Sequence, residues 1–188
     1  MAEFDPLAQR LLWDEGGWSN RAADRGGKTI FGISRVYWPQ WRGWPLVDRY
    51  SAAGSDPREA EKDPEVLEAA REFYRVEFWE RIGAASMPSA RLAFGVLTIA
   101  VNAGLTTAAR FLQDGLTAFS RSPSGRELYR PTAVDGRFGP DTRRAVGELF
   151  ARWPGGVDEA GELLLWHILA LHTMRYADIV RHDPTQRE

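Results

Sequence analysis

The sequence predicts a mainly α fold with a small β-hairpin lobe near its N-terminus. Apolar residues recur at helical spacing along most of the chain, and cap residues and prolines mark where those stretches begin. One stretch, 18–33, interrupts them with polar, glycine-dense, turn-forming sequence. With 188 residues and 44% hydrophobic content, the chain can bury one sizeable core, so residues 1–188 are expected to form a single compact domain.

The first helix is expected from Asp5 as N-cap and Pro6 at the first helical position, with Leu7, Leu11 and Leu12 on one face and Gly16–Gly17 ending it. The "TIFGI" run that follows reads as a hairpin, and Ser34 as the cap of a further helix or turn. Residues 51–63 read as a solvated connector. Asp63 and Pro64 start a helix that Gly83 stops, and later helices are expected at about 89–103, 105–119, 140–153 and 159–181.

Composition excludes several classes of function. There is no cysteine for a disulfide or thiolate site, and the three histidines, His167, His172 and His182, are scattered, so no metal and no cofactor is expected. A net charge of −2 gives no electrostatic case for nucleic acid. No apolar run reaches the roughly 20 residues that span a bilayer, so no stable membrane insertion is expected. The N-terminus "MAEFDPLAQRLL" lacks a basic stretch followed by an apolar one, so no signal peptide is visible.

The chemistry-bearing residues gather near the hairpin. Glu15 follows Leu11 by four and Leu7 by eight, so it shares their inward face and is partly desolvated. Desolvation and the negative end of the helix dipole both favour a protonated carboxyl group, which suits a general acid. The same position also suits a helix-end carboxylate paired with an arginine. Asp24 follows after eight intervening residues and Thr29 after four more. Such an order can place an acid opposite a carboxylate and a hydroxyl across a cleft, as inverting glycoside hydrolysis requires, although Asp24 beside Arg25–Gly26 is equally a turn aspartate. Trp38, Trp41 and Trp44 recur every third residue beside Tyr37; aromatic faces stack on sugars, and they also fill cores. Asn102, between Val101 and Ala103, is expected to be buried and to need partners, either tethering the hairpin or touching glycan.

The segments "EGGWSN", "DRGGKT" and "FGIS" resemble the opening motif of glycoside hydrolase family 108, muramidases with a lysozyme-like helical fold. Further on, "AVNAG", "ARFLQ" and "VDGRFGPDT" resemble the peptidoglycan-binding helical region that follows in those proteins. The resemblance implies a catalytic part over 1–90 and a peptidoglycan-binding-like part over 91–183. It implies Glu15 as catalytic acid, with Asp24 as base and Thr29 as the residue positioning water. Trp18, Asn102 and Tyr37 are expected at the substrate. Trp18 stands where the family more usually has tyrosine, and Arg21–Ala23 departs from its Asp-, Asn- and Pro-richer pattern. "DGRFGPDT" also reads as a glycine turn with Pro140 opening a helix, and that structural role is favoured over ligand contact.

The implied enzyme is a muramidase cleaving the β-1,4 bond between N-acetylmuramic acid and N-acetylglucosamine, a phage or prophage endolysin held in the cytoplasm until lysis. It is expected to be a monomer whose partner is bacterial peptidoglycan. Two alternatives stand beside it: a lytic transglycosylase using Glu15 alone, and a non-catalytic wall-binding or secretion-accessory module.

Overall fold

The computed structural model describes residues 3–20 and 27–182 and shows a mainly α protein with one small antiparallel sheet. Contacts divide the chain into two compact units, Phe4–Glu77 and a second running from Phe78 onward.

In the first unit, α1 (Phe4–Glu15) starts one residue before the expected cap, which leaves Asp5 and Pro6 inside its first turn. It buries Ala8, Leu11 and Leu12 and packs on α3 (Pro64–Tyr74). The hairpin of β1 (Thr29–Ile30) and β2 (Ile33–Ser34) pairs Thr29 with Ser34 and Ile30 with Ile33. Its two-residue turn takes positive φ at both Phe31 (50°) and Gly32 (73°), the backbone that matches the twist of a tight hairpin. An antiparallel bridge joins Ser19 to Thr29, so the chain leaving α1 lies beside β1. Ser34 caps a turn: its hydroxyl accepts from the Tyr37 N–H and its carbonyl from that of Trp38.

Two expectations need correcting here. The connector at 51–63 is partly helical: α2 (Trp44–Ala52) runs into it, and Pro57–Lys62 forms a 3₁₀ turn that buries Ala60. Asp56 caps that turn by accepting from the Arg58 N–H, a local signal overshadowed by the charge of the segment. The helix expected from Pro64 to Gly83 keeps α geometry only to Tyr74 and widens into a π-helix at Arg75–Trp79. Asp63 caps its start by accepting from the Glu65 N–H at 2.8 Å. Trp41 and Trp44 are core residues, packed edge to face with ring centroids 5.2 Å apart.

The second unit is built from α4 (Ala90–Ala103), α5 (Leu105–Ala118), α6 (Pro140–Arg152) and α7 (Gly156–His182), close to the expected ranges. Its core includes Leu92, Leu97, Ile99, Leu112, Leu116, Leu149 and Leu164. The motifs "ARFLQ" and "VDGRFGPDT" meet through Gln113, which is 1% exposed. Its amide donates to Asp135 Oδ1 (2.8 Å), the Arg137 carbonyl (3.0 Å) and Thr142 Oγ1 (2.9 Å), and its Oε1 accepts from the Gly136 N–H at 2.9 Å. Gly136 has φ 79°, and a Cβ there would sit 2.7 Å from Thr106 Cγ2. This is the structural role expected of that motif. His167 is satisfied at the boundary by Asp114, 2.6 Å away. No helix among the described residues is long and apolar enough to cross a membrane.

Candidate active site

Glu15 is the last residue of α1, and Gly16 follows it at φ 80°, the left-handed conformation that commonly closes a helix. The inward face that buries Leu11 carries Glu15 into a half-buried position against the hairpin turn. A Cβ added to Gly32 would collide with Glu15 Oε2 and lie 2.8 Å from the Tyr74 hydroxyl. Glycine at this turn therefore meets two demands: the positive φ and the close approach of a carboxylate.

Tyr74, from α3, is buried and donates to the Phe31 carbonyl at 2.6 Å, fixing the turn from below. Burial first, and the neighbouring Asp14 charge second, hold the Glu15 carboxyl above the usual carboxylate range. Tyr74 is pushed well above the ordinary phenol range, mainly by burial and then by the Glu15 charge, so its hydroxyl stays protonated. Asp14 itself is exposed and paired with Arg10 at 3.7 Å. Among the described residues no arginine forms a salt bridge with Glu15. A half-buried carboxyl group whose pKa is raised by burial is better suited to donate a proton than an exposed one.

The structure brings the hairpin that carries Thr29 against Glu15. The Thr29 hydroxyl donates to the Gly27 carbonyl over a long 3.3 Å, while its backbone pairs with Ser19 at 2.8 Å in both directions. Asp24 lies outside the described residues, between those two paired positions. Trp18 is half-buried, and its backbone N–H donates to Glu61 Oε1 at 2.7 Å, which anchors the segment leaving α1. Tyr37, 69% exposed, lines a separate aromatic cavity of about 490 Å³ with Trp38, Trp41 and Phe73. Asn102 is exposed on α4, contrary to the burial expected from its apolar neighbours. Its amide is satisfied locally by the Thr98 carbonyl at 3.0 Å, one turn back.

Gly32, Tyr74 and Glu61 are the neighbours that sequence reading did not single out. The glycine was visible inside "TIFGI", whereas Tyr74 and Glu61 sit 43 residues from their hydrogen-bond partners and carry no local signal.

The profile of the family described as Glycosyl hydrolase 108 matches residues 8–104, just over half of the chain. Among solved structures, the chain is similar to "Structure of Brucella abortus SagA" at 22% identity, with a TM-score of 0.53, covering 90% of this chain and 79% of that one. At that identity the likeness shows the fold alone, a lysozyme-like mainly α fold. No curated protein matches the sequence.

Proposed function

Because the chain belongs to glycosyl hydrolase family 108 and is thereby a glycoside hydrolase, we propose that it cleaves the β-1,4 bond between N-acetylmuramic acid and N-acetylglucosamine in peptidoglycan. The observation that carries this reading is the environment of Glu15, half-buried against Gly32 and Tyr74, where burial raises its carboxyl pKa and favours the proton a general acid must give. In the proposed reaction Glu15 delivers that proton to the glycosidic oxygen as the bond to the anomeric carbon breaks. Asp24 takes a proton from the attacking water, and Thr29 orients that water. The long bond from Thr29 to Gly27 is one a better acceptor can replace.

The order of acid, acid and hydroxyl from Glu15 through Asp24 to Thr29 supports a phage or prophage endolysin that meets the wall at lysis. "AVNAG", "ARFLQ" and "VDGRFGPDT" support a wall-binding role for the unit from Phe78 onward. Mass spectrometry of the muropeptides released by the purified protein tests the reaction. Fragments with a reducing N-acetylmuramic acid end support hydrolysis at the proposed bond. Anhydro fragments, lighter by one water, would replace it with a transglycosylase using Glu15 alone, and the absence of fragments with a binding module.

A further inference from the structure

Among the cavities of the first unit, one that the proposed reaction does not use lies directly beside Glu15 in the chain. It measures about 460 Å³ and begins at Gly16 and Gly17, the residues directly after Glu15. Trp13, Phe31 and Leu67 supply its apolar wall, and Lys62, Arg71 and Glu61 its charged rim.

Two features bear on what this cavity can hold. Trp13 is 85% exposed, more than Trp166 at 66%, whereas Trp41, Trp44, Trp79 and Trp153 are buried. An indole kept in water beside a cavity is a large apolar surface without a partner. Neither Lys62 nor Arg71 has a carboxylate within ion-pair distance among the described residues, whereas Arg35, Arg49 and Arg144 elsewhere on the surface are paired. Glu61, the acid on this rim, is engaged through Oε1 by the Trp18 backbone N–H. Leu67 and Arg71 are four apart on α3 and so present an apolar and a cationic group on one face.

We propose that this cavity is a subsite for the acidic peptide that peptidoglycan carries on its glycan strand, with Trp13 covering the aliphatic part and Lys62 and Arg71 holding the carboxylates. The inference rests on the proposed hydrolysis of that strand, since a cavity opening at Gly16 places such a peptide beside the bond that Glu15 protonates. It involves no covalent step. Arg71 provides the planar fork that matches a carboxylate, and Lys62 a mobile point charge.

The test has two arms. In the first, the full-length Glu15→Gln protein is titrated with acidic peptide freed from wall by an amidase, and tryptophan fluorescence is read. A saturable change that disappears in the added Trp13→Phe background, and that needs about fivefold more peptide after Lys62→Ala with Arg71→Ala, is expected. In the second, kcat/KM is compared on intact wall glycan and on amidase-stripped glycan, and the double substitution should lower the ratio between them about fivefold. Lys62→Glu, a surface change, should act in the same direction. No fluorescence response, or an equal loss on both substrates, overturns the subsite. If the wild-type protein cleaves neither glycan, the hydrolase reading fails, while the peptide titration still decides whether this cavity binds.

Discussion

At the scale of single residues, the environment of Glu15 favours the proton on its carboxyl group. The amide in Glu15→Gln keeps the shape but donates no acidic proton, so wall lysis should fall by about 10²–10⁴-fold, measured as turbidity loss on purified walls. The same substitution should change stability with a definite sign. A carboxyl group whose pKa is raised by folding binds its proton more tightly in the native state, so stability falls as pH rises from the unfolded value near 4.3 through the raised native value. Glu15→Gln removes that loss. The variant's thermal midpoint should therefore exceed the wild type's near neutral pH, and the gap should close in acid. A constant gap across pH would show that burial of the charge is not what sets the Glu15 pKa. In activity, the basic limb of the pH profile should lie above the ordinary glutamate range, because it reports loss of that proton. Periodicity made Glu15 legible by placing it on the face of Leu11. It failed for Asn102, since an apolar sequence neighbourhood does not tell which side of a helix faces water.

Among elements, the hairpin links turn geometry to acid chemistry. Gly32→Ala meets a positive φ, which costs about 1 kcal/mol, and also places a methyl group against Glu15 Oε2 and the Tyr74 hydroxyl. It should lower both the thermal midpoint and kcat, with the kcat loss persisting at temperatures where the variant is fully folded. A variant that loses stability alone would leave Gly32 with a purely conformational role. In the second unit, Gln113→Ala removes the side chain that ties the loop at 135–137 to α5 and α6. It should destabilise by about 2 kcal/mol or more in a denaturant titration, since it strands buried polar partners. The elements from α4 to α7 were readable because each has strong local signals: Ser89 as cap, Gly104 as break, Pro140 as start. The π-helix at Arg75–Trp79 was not readable, because a one-residue widening leaves the apolar pattern intact. The helix α2 was hidden by its aromatic start, which suits a core helix and a sugar-stacking wall equally well.

For the whole molecule, the family assignment makes the chain a glycoside hydrolase, and the stereochemistry of the product then tests the proposed division of labour. Inverting enzymes hold their two carboxyl groups roughly 6.5–9.5 Å apart to admit water, and retaining ones about 5–5.5 Å apart so that one carboxylate attacks directly. Glu15 stands on a helix end against the hairpin turn, and Asp24 belongs to the stretch between Ser19 and Thr29, whose backbones pair at 2.8 Å. The proposal gives Asp24 the longer separation, with a water held by Thr29 between it and the sugar. Hydrolysis followed by NMR, read before mutarotation, should then show the first reducing-end product in the α configuration, opposite to the β bond cleaved. Asp24→Asn should reduce the rate without changing that configuration in what activity remains, because water is still the nucleophile. A β product would instead make Asp24 the nucleophile of a covalent intermediate and remove Thr29 from water positioning. An α product with Asp24→Asn fully active would leave Glu15 acting without a side-chain base at position 24.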